Sequence, residues 1–134
     1  MSVLLEVLIR EGILSFDQLL ELSEEEINQD DLGRRLVEKG LISEAQLAKA
    51  HAARHGAEYV ELTDYQPEGG ALSMLPAAVA RRHTVMPLAI RDGRLVLAMV
   101  DPSNVLAIDD VTTATGLQVT PVVAIAPLLL IYLP

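Results

Sequence analysis

His51 and His55 stand four residues apart, the spacing that lets two imidazoles on one helical face share a metal ion. The glutamate of an H-E-x-x-H pattern is missing, because positions 52–54 are Ala, Ala and Arg. The competing reading is a pair of partly exposed histidines near a helix C-terminus, where positive charge is favoured, and no metal centre is expected. Asp109 and Asp110 are a second candidate, with Asp101 nearby. Adjacent helical side chains point about 100° apart, so these acids are expected on a helix surface rather than around one reacting group. The chain has no cysteine, which removes disulfides, thiolate metal sites and a thiol nucleophile. No G-x-x-x-x-G-K-[ST], G-x-G-x-x-G or G-x-S-x-G occurs. The expectation is a non-enzymatic chain without a cofactor.

Gly33 is the more informative residue. It falls inside a helical pattern, where glycine costs about 1 kcal/mol relative to alanine. Two compensations are open: close approach of a neighbouring helix, or close approach of a ligand to the backbone. Arg34 and Arg35 follow it, and Arg54 falls on a neighbouring predicted helix. Guanidinium forks suit phosphates and stack on bases, so Gly33, Arg34, Arg35 and Arg54 are the candidate ligand-binding set. Arg81-Arg82 is a second basic pair, read more simply as solubilising surface.

These residues need elements to hold them. A chain of 134 residues with 51% hydrophobic and 22% charged residues is globular in composition and long enough to bury a core unaided. Net charge is −9, and residues 1–31 hold nine acids against one base, Arg10. That field opposes DNA binding, and the absence of Trp with a single Phe leaves little for base stacking. Glu21, Glu24, Glu25 and Glu26 read either as a solvated surface or as a docking face for a basic partner. No basic region followed by an apolar run opens the chain, so no secretory signal is expected. The apolar run Val122–Leu133 is interrupted by Pro127 and is shorter than the about 20 residues that span a bilayer. A cytoplasmic protein without a membrane span is expected.

The first half repeats. A shift of 28 residues places Leu4, Leu8, Gly12, Ser15, Gln18 and Leu19 on Leu32, Leu36, Gly40, Ser43, Gln46 and Leu47. Each unit predicts an amphipathic helix, a left-handed glycine stop, an apolar pair, and a second helix opened by a Ser-x-x-Gln capping box. Two such hairpins form a four-helix subdomain assigned to residues 1–56, with Gly56 closing its last helix. Leu32, Leu36, Val37, Leu41, Ile42 and Leu47 are its expected core.

Residues 57–134 change period. Tyr59–Leu62 reads as a short strand, Pro67–Gly70 as a loop, and Pro76 opens a helix to about His83. Val85–Ile90 and Leu95–Val100 flank Asp92-Gly93, a strong hairpin signal. Asn104 and its neighbours cap a helix from about Val105 to Ala114, which Gly116 stops. Val119–Val123 is a strand that Pro121 assigns to an edge, and Pro127 is expected to open a last apolar helix. The predicted fold class is α+β: a tandem helical-hairpin subdomain followed by a small, mostly antiparallel sheet with packed helices.

The segment Leu32-Gly33-Arg-Arg-Leu36-Val37-Glu-Lys-Gly40-Leu41-Ile42 with Leu47 resembles the L-G-x-x-L-V-x-x-G-L-I-x-x-x-x-L motif of the N-terminal domain of type II secretion and type IV pilus assembly ATPases. Ala80–Leu88, Gly93–Pro102, Ile108–Val111 and Thr115–Leu117 follow the same family's order, so the resemblance covers nearly the whole chain. It implies a non-catalytic module that links the ATPase motor domain to the cytoplasmic part of inner-membrane platform proteins, and so sits peripherally at that membrane. Some members bind cyclic di-GMP across the tandem repeat, with L-G in each repeat. Here the first repeat has Leu4-Leu5 at that position after Val3, Asp31 precedes Leu32-Gly33, and the closing positions hold His51 and Arg54. The resemblance therefore implies a docking domain first and a cyclic di-GMP sensor as the alternative.

Overall fold

The computed structural model describes residues 3–27 and 31–125. The first repeat forms α1 (Val3–Arg10), α2 (Phe16–Leu19) and α3 (Glu24–Ile27); the second forms α4 (Leu32–Glu38) and α5 (Glu44–His55). Both predicted capping boxes are present: the Ser15 and Ser43 hydroxyls accept from the amides of Gln18 and Gln46, whose side chains accept from the serine amides in return. Gly12 and Gly40 stop α1 and α4 at φ of +73° and +75°, which a β-carbon disfavours. α3 is an extra turn beyond the four expected helices. Ser23 starts it by accepting from the Glu26 amide at 3.1 Å, while the Glu26 carboxylate accepts from the Ser23 amide.

The helical unit closes on one core: Leu4, Leu5, Val7 and Leu8 of the first repeat meet Leu32, Leu36, Ile42 and Ala50 of the second. Val37, Leu41 and Leu47 pack against it while keeping part of their surface in solvent. Amphipathic α1 is too short to be stable alone, so the two repeats fold by covering each other.

The remainder is a four-stranded sheet in the order β1 (Glu58–Tyr59), β4 (Gln118–Val123), β3 (Arg94–Met99), β2 (Met86–Arg91). Asp92 and Gly93 join β2 to β3 with φ of +54° and +74°, the two left-handed residues of the expected hairpin turn. α6 (Gly69–Leu72), a one-turn helix where a loop was expected, lies against β2; α7 (Ala77–His83) meets α8 (Val105–Thr115). Asn104 caps α8 through the Ala107 amide, and Gly116 ends it at φ +73°.

The α+β class and the order of elements match the sequence reading, but the pairing differs. Among the described strands only β2–β3 is antiparallel; β3–β4 and β1–β4 are parallel. The cause is α8, which carries the chain across the sheet so that β4 runs alongside β3, as a strand–helix–strand unit requires. β4 is consequently an interior strand, and Pro121 is not at an edge. Alternation explains how it is tolerated. The Val123 carbonyl accepts from Val60, and the Ala124 amide donates to Met99 on the other flank. Pro121 therefore turns its missing donor toward the β1 side, one residue before β1 begins to pair at Val122. The expected helix after Pro127 lies outside the described residues.

α5 joins the two halves. Ala48 and Ala52 pack on Val123 of β4, with Tyr59 and Ala57 beside them. Small side chains let the helix lie close to the sheet. Among the described residues, no helix is long and apolar enough to cross a membrane.

Candidate functional site

An open cleft of about 410 Å³ lies where the second repeat meets the turn after β3. It is within the size range of small-molecule sites. α4 contributes Leu32, Gly33 and Arg34, α5 contributes Leu47, His51 and Arg54, α1 contributes Leu4, and Asp31, Val100 and Asp101 complete the wall.

Gly33 is where helices come together. A β-carbon there would stand 2.6 Å from Cδ1 of Leu47 and 3.3 Å from Cδ2 of Leu4. Of the two compensations open in the sequence, the close approach of neighbouring side chains is realised: Gly33 borders the cleft but is itself buried under Leu47 and Leu4.

The arginines differ in availability. Arg34 donates to Asp31 at 2.8 Å and lies 3.8 Å from Glu38. Arg35 also binds Asp31, at 3.0 Å, and does not line the cleft. These guanidiniums, Arg35 foremost and then Arg34, hold the Asp31 carboxyl below its usual range. Arg54 is exposed at the cleft mouth and has no ion-pair partner among the described residues.

His51 projects into the cleft with Nδ1 shielded from solvent and without a hydrogen-bond partner among the described residues. Burial is the main influence lowering its pKa; Arg54 and His55 add to it and Asp101 opposes. Asp101 accepts from the Ser103 amide and hydroxyl at 2.9 and 2.7 Å and lies 3.8 Å from His55. Burial alone would raise its pKa, but the Ser103 bonds, with His51 and His55 behind them, leave it lowered. His51 and His55 thus meet the same carboxylate region, and no cluster of three metal-ligating side chains occurs among the described residues. Asp110 is tied to His83 at 2.7 Å and has Arg82 at 3.9 Å, a link between α7 and α8.

The cleft therefore offers two arginines, two carboxylates and a buried imidazole nitrogen. It can hold a polar ligand by hydrogen bonds and charge. Among the described lining residues, no serine, threonine, cysteine or lysine stands beside His51, the pairing that nucleophilic catalysis commonly uses. Of the candidate set, the structure brings Gly33, Arg34 and Arg54 to one cleft and leaves Arg35 outside it; Asp101 and Val100, which also line the cleft, were not in that set. They come from far along the chain, and a local motif carries no signal for a neighbour supplied by another element.

Away from the cleft lining, Glu21, Glu24 and Glu25 of the first repeat are exposed and have no ion-pair partner among the described residues. Glu26 is committed inward: its carboxylate meets Lys39 at 2.6 Å, which lowers its pKa, and ties α3 to the end of α4.

Comparison with known proteins identifies this architecture. The MshEN domain model matches residues 55–127. The type IV pilus assembly ATPase PilB of Myxococcus xanthus is 35% identical over 120 residues, which cover 89% of this chain and 21% of that protein. PilB of Thermus thermophilus is 42% identical over 79 residues, covering 59% of this chain and 9% of that protein. The chain thus spans about a fifth or less of these curated relatives. Among solved structures, MshE with cdg (cyclic di-GMP) superposes with a TM-score of 0.79 at 25% identity, covering 97% of this chain and 94% of that one. The N-terminal domain of XpsE follows with 0.71 at 27% identity, covering 96% and 92%. With more than half of its length matched by the family model, and with a fold shared with MshE and XpsE, the chain belongs to the MshEN domain family and is homologous to the N-terminal regions of PilB-type ATPases.

Proposed function

We propose that this chain is the non-catalytic docking and regulatory domain of a pilus-assembly or secretion ATPase, linking the motor domain to the cytoplasmic part of an inner-membrane platform protein. The observation that carries this reading is the open acidic surface of the first repeat. Glu21, Glu24 and Glu25 stand in solvent with no cation paired to them among the described residues, and a charged surface of one sign steers a partner of the other. The protein would work in the cytoplasm, held at the inner membrane through that partner. Titration of the purified chain against cytoplasmic fragments of platform proteins by biolayer interferometry tests it. Saturable binding that weakens with salt is expected; absence of binding to every fragment overturns it.

The cleft supports a second reading, a cyclic di-GMP sensor. Gly33 on α4 and the exposed guanidinium of Arg54 on α5 both border the cleft, and the similar MshE domain was solved with cdg. The first repeat contributes less, because Leu5 fills the position equivalent to Gly33 and is fully buried. Calorimetric titration with cyclic di-GMP decides. Binding that Arg34→Ala and Arg54→Ala both weaken supports a sensor, and silence up to millimolar ligand removes it.

A further inference from the structure

We infer that the outer face of α2 is a docking ridge for a cationic, amphipathic segment of a partner protein, with Phe16 and Leu20 as its apolar anchors. The inference rests on the docking reading above and specifies its partner. Phe16 is 68% exposed and Leu20 is 82% exposed. They are one helical turn apart, so they point to the same side, whereas Leu14, Leu19 and Leu22 of the same repeat turn into the core.

The second repeat shows what such a face is for. The residue 28 positions beyond Leu20 is Ala48, which is 3% exposed and packs on Val123 of the sheet. In the second repeat the Ala48 end of this helix face is a packing surface with a cover, while Glu44, the counterpart of Phe16, stays in solvent. In the first repeat the same face bears a larger apolar side chain and has no cover within the described residues.

Charge selects the occupant. Asp17, Glu21, Glu24 and Glu25 are exposed around the ridge, without an ion-pair partner among the described residues. A second copy would oppose acid to acid across a self-complementary contact. An anionic bilayer would be repelled for the same reason. A segment with apolar residues at helical spacing, flanked by Lys or Arg, satisfies both the ridge and its rim.

The test uses the intact chain and two synthetic peptides of Leu, Lys and Ala with identical composition. One places its leucines on a single helical face; the other scatters them around the helix. Fluorescence anisotropy is read at low and high salt, and anionic phosphatidylglycerol vesicles are assayed by co-sedimentation. The expected result is about tenfold tighter binding of the faced peptide, most of which Phe16→Ser with Leu20→Ser removes. Glu21→Gln, Glu24→Gln and Glu25→Gln together should flatten the salt dependence. Leu20→Lys repeats the test at a site too exposed to affect folding. Equal binding of the two peptides, unchanged binding in both ridge variants, or recruitment by vesicles overturns the ridge. Platform-fragment binding unaffected by the ridge variants leaves the docking reading intact and sinks the ridge. Faced-peptide binding at the ridge with no platform fragment bound does the reverse.

Discussion

The two helical repeats share a skeleton and differ in nearly everything they present. Leu8 and Leu36 occupy equivalent positions in one core, and both are fully buried. Gly12 and Gly40 stop the first helices in the same left-handed conformation. The positions around the cleft diverge: with a shift of 28, Gly33, Arg34, His51 and Arg54 correspond to Leu5, Glu6, Ser23 and Glu26. A buried helical glycine followed by a cation in one repeat becomes a buried leucine followed by an acid in the other. The repeat thus preserves what lets two hairpins cover each other and leaves each outer face free to diverge. The second repeat builds a cleft there, and the first an acidic ridge.

The largest effect should come from exchanging the residues at which the repeats differ inside the helix. Leu5 is completely buried, so Leu5→Gly opens a cavity and adds a helical glycine. It should cost about 3–6 kcal/mol in urea unfolding. Gly33→Leu should cost less, about 1–3 kcal/mol by overpacking against Leu47 and Leu4, because Leu47 can turn into the open cleft. A Leu5→Gly variant as stable as the parent would mean that the first repeat carries a latent cleft.

The packed and open helix faces give the next contrast. Ala48→Leu forces a branched side chain between α5 and Val123 and should cost about 1–3 kcal/mol. Leu20→Ala, at the equivalent exposed position, should change stability by less than about 0.5 kcal/mol. Thermal melts of the two variants compare them directly, and a large loss for Leu20→Ala would show that its face is already covered.

The capping boxes should behave alike. Ser15→Ala and Ser43→Ala each remove one side-chain acceptor from a helix start and should each cost about 1 kcal/mol. A Ser15 cost near zero would mark α2 as held by the core alone, and would break the equivalence of the two skeletons.

Much of this was legible in the sequence because it is local. Capping serines, stop glycines and the Asp92-Gly93 turn act within a few residues, so their spacing alone specifies them. The parallel pairing of β3 and β4 was not legible. A crossover helix returns β4 in the direction of β3 whichever face it crosses, and the apolar pattern of β4 leaves open whether it lies beside β3, parallel, or beside β2, antiparallel. Pro121 misled for the same reason: the rule that assigns proline to an edge holds for the flank its nitrogen faces, and that flank is fixed only once β1 is placed. In the cleft, Gly33 and Arg34 were visible through one motif and Arg54 through the neighbouring predicted helix, whereas Arg35 of the same set lies outside it. Asp101 was not, because only the tertiary fold brings the turn after β3 beside α5.

The smallest expected effect concerns His51, whose counterpart in the first repeat is Ser23. Burial, aided by Arg54 and His55, lowers the pKa of His51 below its ordinary 6.5, against the attraction of Asp101. The unfolded chain therefore binds this proton more readily than the folded one. The stabilising contribution is complete above the ordinary histidine range and declines as pH falls below it, toward the lower folded-state value. Asp101, also lowered, keeps its contribution until pH falls through the carboxylate range below 3.8, so the two losses are separated. Melting temperature should drop between about pH 7.5 and pH 5.5, and His51→Gln should shrink that drop. Ser23→Ala should lower the melting temperature by a similar amount at both pH values, because a cap hydroxyl does not titrate. An undiminished pH drop in His51→Gln would show that the cleft histidine is not what distinguishes the second repeat in acid.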